Sequence, residues 1–490
     1  MNWIAVPLCV LLFALFPLTD TDIWWHLACA REWVVTWSPV REGLPNIHEY
    51  FQHVVYAVYC IGGAPLLVAF KAFLWGSVFA LFLHPAGLRN RVKPVVVAIA
   101  AFFLFVFRFQ MEMRPVVFTL LFLGVYWNVV PWLLARFVSG DKHAANGVKT
   151  CLVALALLLL QWLWCKFQGL YILGPLFALL CLVHALYRNR SALQKCQRVA
   201  PAVFVALLFA VPLLHGEGVR LFLYPFGLLD RLLGISPSAA IFASEIAENR
   251  SPLTILLAGE NVLACALMVV LAFFGAVYSV VRLARCCDEL VLWSTLLVTS
   301  VMALVAERNF VLFLPIFLFA FIYHPASFIS HSTSHIPHFF SSKICQIISI
   351  VILAGLLGFW AKSLTAYDKH MVAYQRVPVA AAAWMKENPH SGRLFNDDRA
   401  GGYLAFVNPA DSIYIDGRFI LKTAEFFERY MRYSEDPELF LADADSLGID
   451  RAVFPLRFYA RWDRLLERLR ESTKWAVAYV DGNFIVFARK

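Results

Sequence analysis

A helical membrane domain of many spans, followed by a water-soluble α/β domain, is the architecture this sequence predicts. Three observations lead there. Of the 490 residues, 61% are hydrophobic and 15% charged, and the mean hydropathy is +0.69. Soluble domains carry about a quarter charged residues, so an ordinary soluble enzyme and a disordered chain are both excluded. The charge is also unevenly spread: residues 364–490 hold 18 Lys+Arg and 18 Asp+Glu, a soluble fraction, whereas the first 363 hold 24 basic and 15 acidic residues. The net charge of +9 therefore lies wholly in the apolar part. The division expected is 1–363 in the membrane and 364–490 in water.

Apolar runs of membrane-crossing length fall at roughly 3–18, 62–83, 94–110, 115–135, 150–165, 168–187, 199–214, 261–281, 290–306, 309–323 and 345–363, about 11 transmembrane helices. With a cytoplasmic N-terminus, the inside loops are short and basic. They carry Arg89, Arg91, Lys93, Arg136, Lys142, Lys149, Arg188, Arg190, Lys195, Arg198, Arg282, Arg285 and Lys343 against Asp141, Asp288 and Glu289. The positive-inside rule then sets the C-terminal domain outside. A basic excess distributed this way argues against nucleic acid as a partner. The first run, Ile4 to Leu18, has no basic leader and no small-x-small cleavage site before Asp20, so it reads as a retained helix. The eleven cysteines lie nearly all in or beside spans, no CxxC occurs, and none falls in 364–490. They read as small apolar residues, and the exported domain is expected to fold without disulfides.

Two outside loops are long, Thr19 to about Phe51 and His215 to about Glu260. Both mix polar residues with aromatics, the pattern of helices lying in the membrane interface. The tail reads as a compact α/β unit. Helix Val379–Lys386 leads to a strand at Arg393–Asn396, a tight turn at Gly401-Gly402 and a strand at Ser412–Asp416. Charged helices near 423–433 and 436–447 precede a strand at Arg451–Phe454 and a helix at 457–471. A hairpin, Trp475–Val480 and Phe484–Arg489, closes it.

Chemistry is expected where polar residues cluster on one side of the spans. Asp20 and Asp22 follow the first span, with His26 one helical turn later. Glu112 and Arg114 lie before the fourth span, Lys166 and Gln168 between two spans, and Arg220, Glu245, Glu248, Asn249 and Arg250 in the second long loop. Glu307-Arg308-Asn309 interrupts an apolar stretch. Under the expected topology all of these face outward, and ionisable groups near a membrane tend to face a cavity or one another. Such a cavity suits a lipid-linked substrate with its head group in water. Carboxylates there can deprotonate an attacking hydroxyl or bind Mg or Mn, and Arg or Lys can hold a phosphate. His324, His331, His335 and His338 are a weaker metal set, since Pro325 and Pro337 break their register. No GxGxxG, Walker or GxSxG pattern is present.

At Asp20-Thr21-Asp22-Ile23-Trp24-Trp25-His26-Leu27 the sequence resembles a family of bacterial polytopic membrane proteins related to the GT-C glycosyltransferases. The resemblance continues through Arg114 to Phe122, Leu163 to Gly169, Arg220 to Pro225 and Glu307-Arg308-Asn309, then through Phe395 to Leu404 and Ile413 to Arg418. It departs at Cys165-Lys166-Phe167-Gln168, where Lys166 supplies a cation. The resemblance implies a GT-C-like fold and a polyprenyl-phosphate-linked sugar donor, with an acidic residue of the first outside loop as base. By position that residue is Asp22 or Asp20, and some members bind a divalent metal, which here would be Mg or Mn on the same two residues.

The expectation is thus an inner-membrane glycosyltransferase. It would move a sugar from a polyprenyl-phosphate carrier to a glycan, lipid or protein acceptor on the outer side of the cytoplasmic membrane. Asp20 and Asp22 would be catalytic. His26, Glu112, Arg114, Lys166, Arg220, Glu248, Arg250 and Arg308 would bind substrate. A flippase for a lipid-linked saccharide predicts polar residues through the bilayer midplane, where the sequence offers little beyond Lys71. A non-catalytic assembly protein would tolerate loss of Asp20 and Asp22.

Overall fold

The computed structural model describes residues 3–33, 35–87, 92–139, 144–189, 195–285, 288–324, 342–457 and 460–490. Arg89, Arg91, Asp141, Lys142, Arg190, Cys286, Cys287, Pro325, His331, His335, Pro337 and His338 lie outside them. Before the sheet the chain holds, in order, α1 (Ala5–Phe13), α2 (Asp22–Cys29), α3 (Glu49–Gly87), α4 (Pro94–Val106), α5 (Val116–Ser139), α6 (Ala144–Trp164), α7 (Leu173–Arg188) and α8 (Lys195–Ala210). It continues with α9 (Val219–Leu233), α10 (Pro237–Glu245), α11 (Pro252–Leu257), α12 (Val262–Arg285), α13 (Leu290–Val305), α14 (Phe310–Tyr323) and α15 (Lys343–Leu364). The chain forms two compact units, one of residues 1–16, 69–232 and 243–367, the other of 17–68, 233–242 and 368–490.

Among the described helices, α3, α5, α6, α12 and α15 are long and apolar enough to cross a membrane. Val199–Leu214 and Val219–Leu233 are bent by 100° about a short break and pass the same test together. The stretches in α4, α7 and α13 are apolar but shorter. Helix α3 is kinked at Gly62 and Gly63, where Gly63 takes φ +63°, a conformation open to glycine and strained for other residues. Helix α14 is buried at every position from Phe310 to Ile322, as expected of a helix apolar all round that packs among other helices.

The second unit contains α16 (Val379–Glu387), β1 (Arg393–Asn396), α17 (Asp398–Val407), α18 (Ala424–Arg432), α19 (Pro437–Leu447), β2 (Ile449–Pro455), α20 (Asp463–Arg470), β3 (Trp475–Val480) and β4 (Phe484–Arg489). The sheet order is β1-β2-β4-β3, with β1 parallel to β2 and the remaining pairs antiparallel. Caps written in the sequence start the helices. The Asp397 carboxylate accepts the Arg399 N–H at 3.0 Å, Thr423 caps α18, and Asp436 with Pro437 opens α19. Gly448, left-handed at φ +68°, ends α19. Alternation along β1 sends Leu394 into one core, with Leu404, Val453 and Val486, and Phe395 into another, 4.9 Å from the Phe440 ring and 5.5 Å from Phe454.

Three expectations for the tail are corrected. Gly401-Gly402 is not a turn but lies inside α17, where missing side chains serve helix packing. Ser412–Asp416 is not a strand of the sheet. Ile413 makes a single bridge to Thr36, giving its N–H to Val35 O at 3.1 Å and accepting that of Trp37 at 3.0 Å. Asn396 does the remaining bonding: its Nδ2 donates to Ile415 O at 2.7 Å and its Oδ1 accepts from Tyr414 N at 2.8 Å. The helix expected at 457–471 begins only at Asp463, after a 3-10 turn at Ala460–Trp462.

A Cβ at Gly401 would collide with the Ile415 carbonyl and stand 2.7 Å from Asn396 Nδ2. Gly401→Ala is therefore expected to destabilise this unit by roughly 1–3 kcal/mol, the usual cost of overpacking. Gly355→Ala, in α15 where a Cβ meets nothing within 4 Å, is expected to be near neutral. Thermal unfolding of the detergent-solubilised chain followed by tryptophan fluorescence checks both.

Candidate functional site

The acidic motif belongs to the second unit, and packing there decides which of its atoms remain available. In α2 every residue from Ile23 to Cys29 is buried, and only Asp22, at its N-terminus, is half-buried. An isolated eight-residue helix would not hold in water; this one is held by α17. A Cβ at Gly402 would lie 2.8 Å from Trp25 N and 3.2 Å from Trp25 Cβ, so only glycine lets the two backbones approach this closely. The Trp24 ring meets Tyr403 at 4.8 Å and Tyr59 at 6.0 Å, both edge-on. Trp25 lies over His26, centroids 3.5 Å apart, and His26 meets Phe51 at 4.7 Å and His48 at 5.3 Å. His26 is thus buried within an aromatic cluster.

Asp20 is 7% exposed, and its Oδ1 accepts the Asp22 N–H at 3.2 Å, fixing the two acids to each other. Asp22 sits against Gly417: a Cβ there would collide with the Asp22 carboxylate and lie 3.3 Å from Trp25 Nε1. That indole N–H is buried and has no acceptor among the described residues. The neighbouring pair Asp416–Arg418 is buried on both sides. Arg418 Nη2 and Nε donate to the carboxylate at 2.6 and 3.0 Å, Nη1 donates to Trp33 O at 2.5 Å, and the guanidinium lies 5.5 Å from the Trp25 ring and 5.0 Å from Trp33. Paired this way, the arginine is neutralised where it is buried. Lys422 ties the first long loop to the same segment, donating to Ser38 Oγ at 2.7 Å and Pro39 O at 3.1 Å. Burial brings its pKa down to about 8, only partly offset by Asp416.

Other residues singled out in the sequence lie in the first unit, and the structure brings several together. Arg114 grips Glu248 with both ends of its guanidinium, at 2.7 and 2.5 Å. Arg250 does the same to Glu260, at 3.2 and 2.8 Å. Glu307 joins them: its N–H donates to Arg250 O at 3.0 Å, and Oε1 accepts from Gln110 at 3.3 Å. Burial first, then Glu248, pushes the Glu307 carboxyl above its ordinary range, against the pull of Gln110, Arg250 and Arg114. Lys166 pairs with Glu217, a residue the sequence reading passed over. Glu112 stands 4.0 Å from the fully buried Lys71, whose Nζ donates to Phe16 O at 2.9 Å. Arg308, beside Glu307, is half-buried. Arg220 is exposed and has no side-chain partner among the described residues. The residues missed, Lys71, Glu217 and Glu260, are the counter-charges of those found. Their signal was an opposite charge near each chosen ion, which spacing alone does not rank.

For a divalent metal, Asp20 and Asp22 offer two carboxylates, one oxygen of which already accepts a backbone N–H. Among the described residues no group of three His, Cys, Asp or Glu side chains converges to hold an ion. Mg or Mn here would take most of its oxygens from water or substrate, so these residues alone do not make a metal site.

The architecture resembles that of solved GT-C glycosyltransferases. The oligosaccharyltransferase of Archaeoglobus fulgidus in the apo form matches with a TM-score of 0.58 at 11% identity, over 92% of this chain and 69% of that one. The same enzyme tethered to an acceptor peptide containing the NVT sequon matches at 0.56 and 11% identity, over 100% and 74%. ArnT of Cupriavidus metallidurans bound to undecaprenyl phosphate has a TM-score of 0.48 at 14% identity, over 99% and 97%. No family model and no curated protein matches the chain. The relation therefore rests on the fold.

The lowered pKa of Lys422 has a sign that can be checked. Between about pH 8 and the ordinary lysine value near 10.4, the unfolded chain holds the proton and the folded chain does not. Stability of this unit should therefore rise with pH across that window. Lys422→Met is expected to flatten the rise, measured by denaturant unfolding between pH 7.5 and 10.5.

Proposed function

We propose that the protein is a membrane glycosyltransferase that moves a sugar from a polyprenyl-phosphate carrier to an acceptor at the outer face of the cytoplasmic membrane. The observation that carries this reading is the half-buried Asp22 carboxylate at the end of an otherwise fully buried helix, fixed by Asp20 on one side and the Gly417 backbone on the other. A reactive group held by packed neighbours yet still partly exposed is the arrangement acid–base chemistry needs. The GT-C-like fold supports the class of reaction, and the oligosaccharyltransferase solved with a tethered acceptor peptide supports an acceptor as the second substrate.

In this reading Asp22 takes the proton of the acceptor hydroxyl as its oxygen attacks the anomeric carbon. The new carbon–oxygen bond forms, the bond from that carbon to the carrier phosphate breaks, and the phosphate leaves with the bonding pair. A phosphate is a weak base, so no acid is required to protonate it. A cation would stabilise the charge that develops on it. The Trp25 indole N–H, without an acceptor among the described residues, is suited to donate to a sugar or acceptor oxygen. The second unit would receive the acceptor outside the membrane.

Native mass spectrometry with lipid extraction, on gently purified wild type and Asp22→Asn, tests the proposal together with turnover on the lipid identified. The expected result is a co-purifying polyprenyl-phosphate sugar, retained or enriched in the variant, with turnover reduced by about 10²–10⁴-fold. The same lipid in both proteins with no dependence on Asp22 would favour a carrier or flippase. Bulk phospholipid alone in both would remove the main support for a transferase.

A further inference from the structure

Arg108 differs from the paired cations of the first unit. It lies in the 3-10 turn Arg108–Gln110 that follows α4, and three rings surround its guanidinium carbon: Phe105 at 4.1 Å, Phe109 at 4.3 Å and Trp360 at 4.8 Å. Arg114, Lys166 and Arg250 each have a carboxylate partner. Arg108 has none among the described residues. It makes one hydrogen bond, from Nη1 to Phe105 O at 2.5 Å, and its buried Nε has no acceptor. A guanidinium carries five N–H donors in a fixed plane, so most of its bonding capacity is unused by the protein. Rings stacked near a cation attract it but leave its full charge in place.

The surroundings say what kind of anion fits. Trp360 is near the C-terminal end of α15, a helix long and apolar enough to span the membrane, and its own N–H donates to Leu12 O at 2.8 Å. Tryptophan near a span end marks the membrane–water boundary. Two rings beside the cage are open: Phe109 is 49% exposed, and Phe359, whose ring meets Phe105 at 6.1 Å, is 61% exposed. The outer face of α15 continues this apolar surface through Ile348, Val351 and Ile352. An unneutralised guanidinium at that boundary, flanked by exposed aromatics, matches an amphiphile whose anionic head sits where its chain begins.

We propose that Arg108 is the head-group contact of a lipid-phosphate site. The guanidinium binds the phosphate of a membrane lipid in the plane left open by the ring cage, and Phe109, Phe359 and the outer face of α15 lie along its hydrocarbon chain. The site rests on the membrane placement of α15, not on the transferase reading. The phosphate can belong to a phospholipid or to a polyprenyl phosphate, and the test separates them.

The full chain, delipidated in neutral detergent, is titrated with phosphatidylglycerol, undecaprenyl phosphate, diacylglycerol and inorganic phosphate, with binding read by native mass spectrometry. Wild type is expected to bind at least one phosphate lipid about tenfold more tightly than diacylglycerol. Arg108→Gln should lose that preference and Arg108→Lys keep part of it, since an ammonium supplies charge without the planar fork. The tighter of the two phosphate lipids identifies the source. Unchanged preference in Arg108→Gln, or binding of inorganic phosphate alone, overturns the proposal. Should Arg108→Gln not fold, quenching of wild-type tryptophan by brominated phosphatidylglycerol, undecaprenyl phosphate and diacylglycerol decides. Quenching no stronger for the two phosphate lipids than for diacylglycerol overturns it equally. None of these readouts uses turnover, so their failure is distinct from failure of the transferase reading.

Discussion

The close approach of α2 to Gly402 and Gly417 is the constraint on which the acidic motif depends. Helix α2 has eight residues, too few to persist alone, and seven of them are buried. Its last turn enters the same core as the sheet, with Ala28 packed among Leu394, Leu404 and Val486. Its first turn is set by contact with two glycines that a methyl group would disrupt. The position of Asp22 is therefore fixed by core packing and not by a loop. The Asp416–Arg418 pair reinforces the same point, because Arg418 is neutralised on one side and reaches the Trp25 and Trp33 rings and the Trp33 carbonyl on the other.

The first unit solves a different problem. Charged groups beside apolar helices lose hydration, and the loss is tolerable only when each is paired or hydrogen-bonded. Arg114 with Glu248, Arg250 with Glu260, Lys166 with Glu217 and Lys71 with Glu112 follow that rule. Glu307 follows it less well. Its side chain is hydrogen-bonded by the Gln110 amide, and burial with Glu248 nearby raises its carboxyl above the ordinary range against the pull of Gln110, Arg250 and Arg114.

Much of this was legible in the sequence because it depends on local pattern. Strand-like runs between turn residues located β1, β3 and β4 to the residue, and the charged stretches near 423–433 and 436–447 are the helices α18 and α19. What failed depended on contacts distant in the chain. Gly401-Gly402 reads as a turn because glycine pairs commonly make turns, but the reason for it here is Trp25, more than three hundred residues earlier. Ser412–Asp416 has the composition of a strand, yet its hydrogen bonds go to Val35, Trp37 and the Asn396 side chain. The candidate acids stood out by their position after the first span. Their mounting, and the carboxylates that occupy the cations, could not be read from spacing, because an ion pair records where two side chains meet and not how far apart they are in sequence.

Those ion pairs bear on how any phosphate would be held. A cation gripped by two carboxylate oxygens, as Arg114 is by Glu248, can bind an anion strongly only by exchanging one for the other. The displaced carboxylate must then be rehydrated or protonated, and that cost is subtracted from the new interaction. Arg250 carries the same obligation to Glu260. Arg220, exposed and without a side-chain partner among the described residues, carries none, although water already solvates it well. The paired arginines would therefore take up a phosphate only if a carboxylate gives way. An arrangement of paired cations is thus selective: weakly bound anions do not open it, and a strongly charged one held by other contacts does.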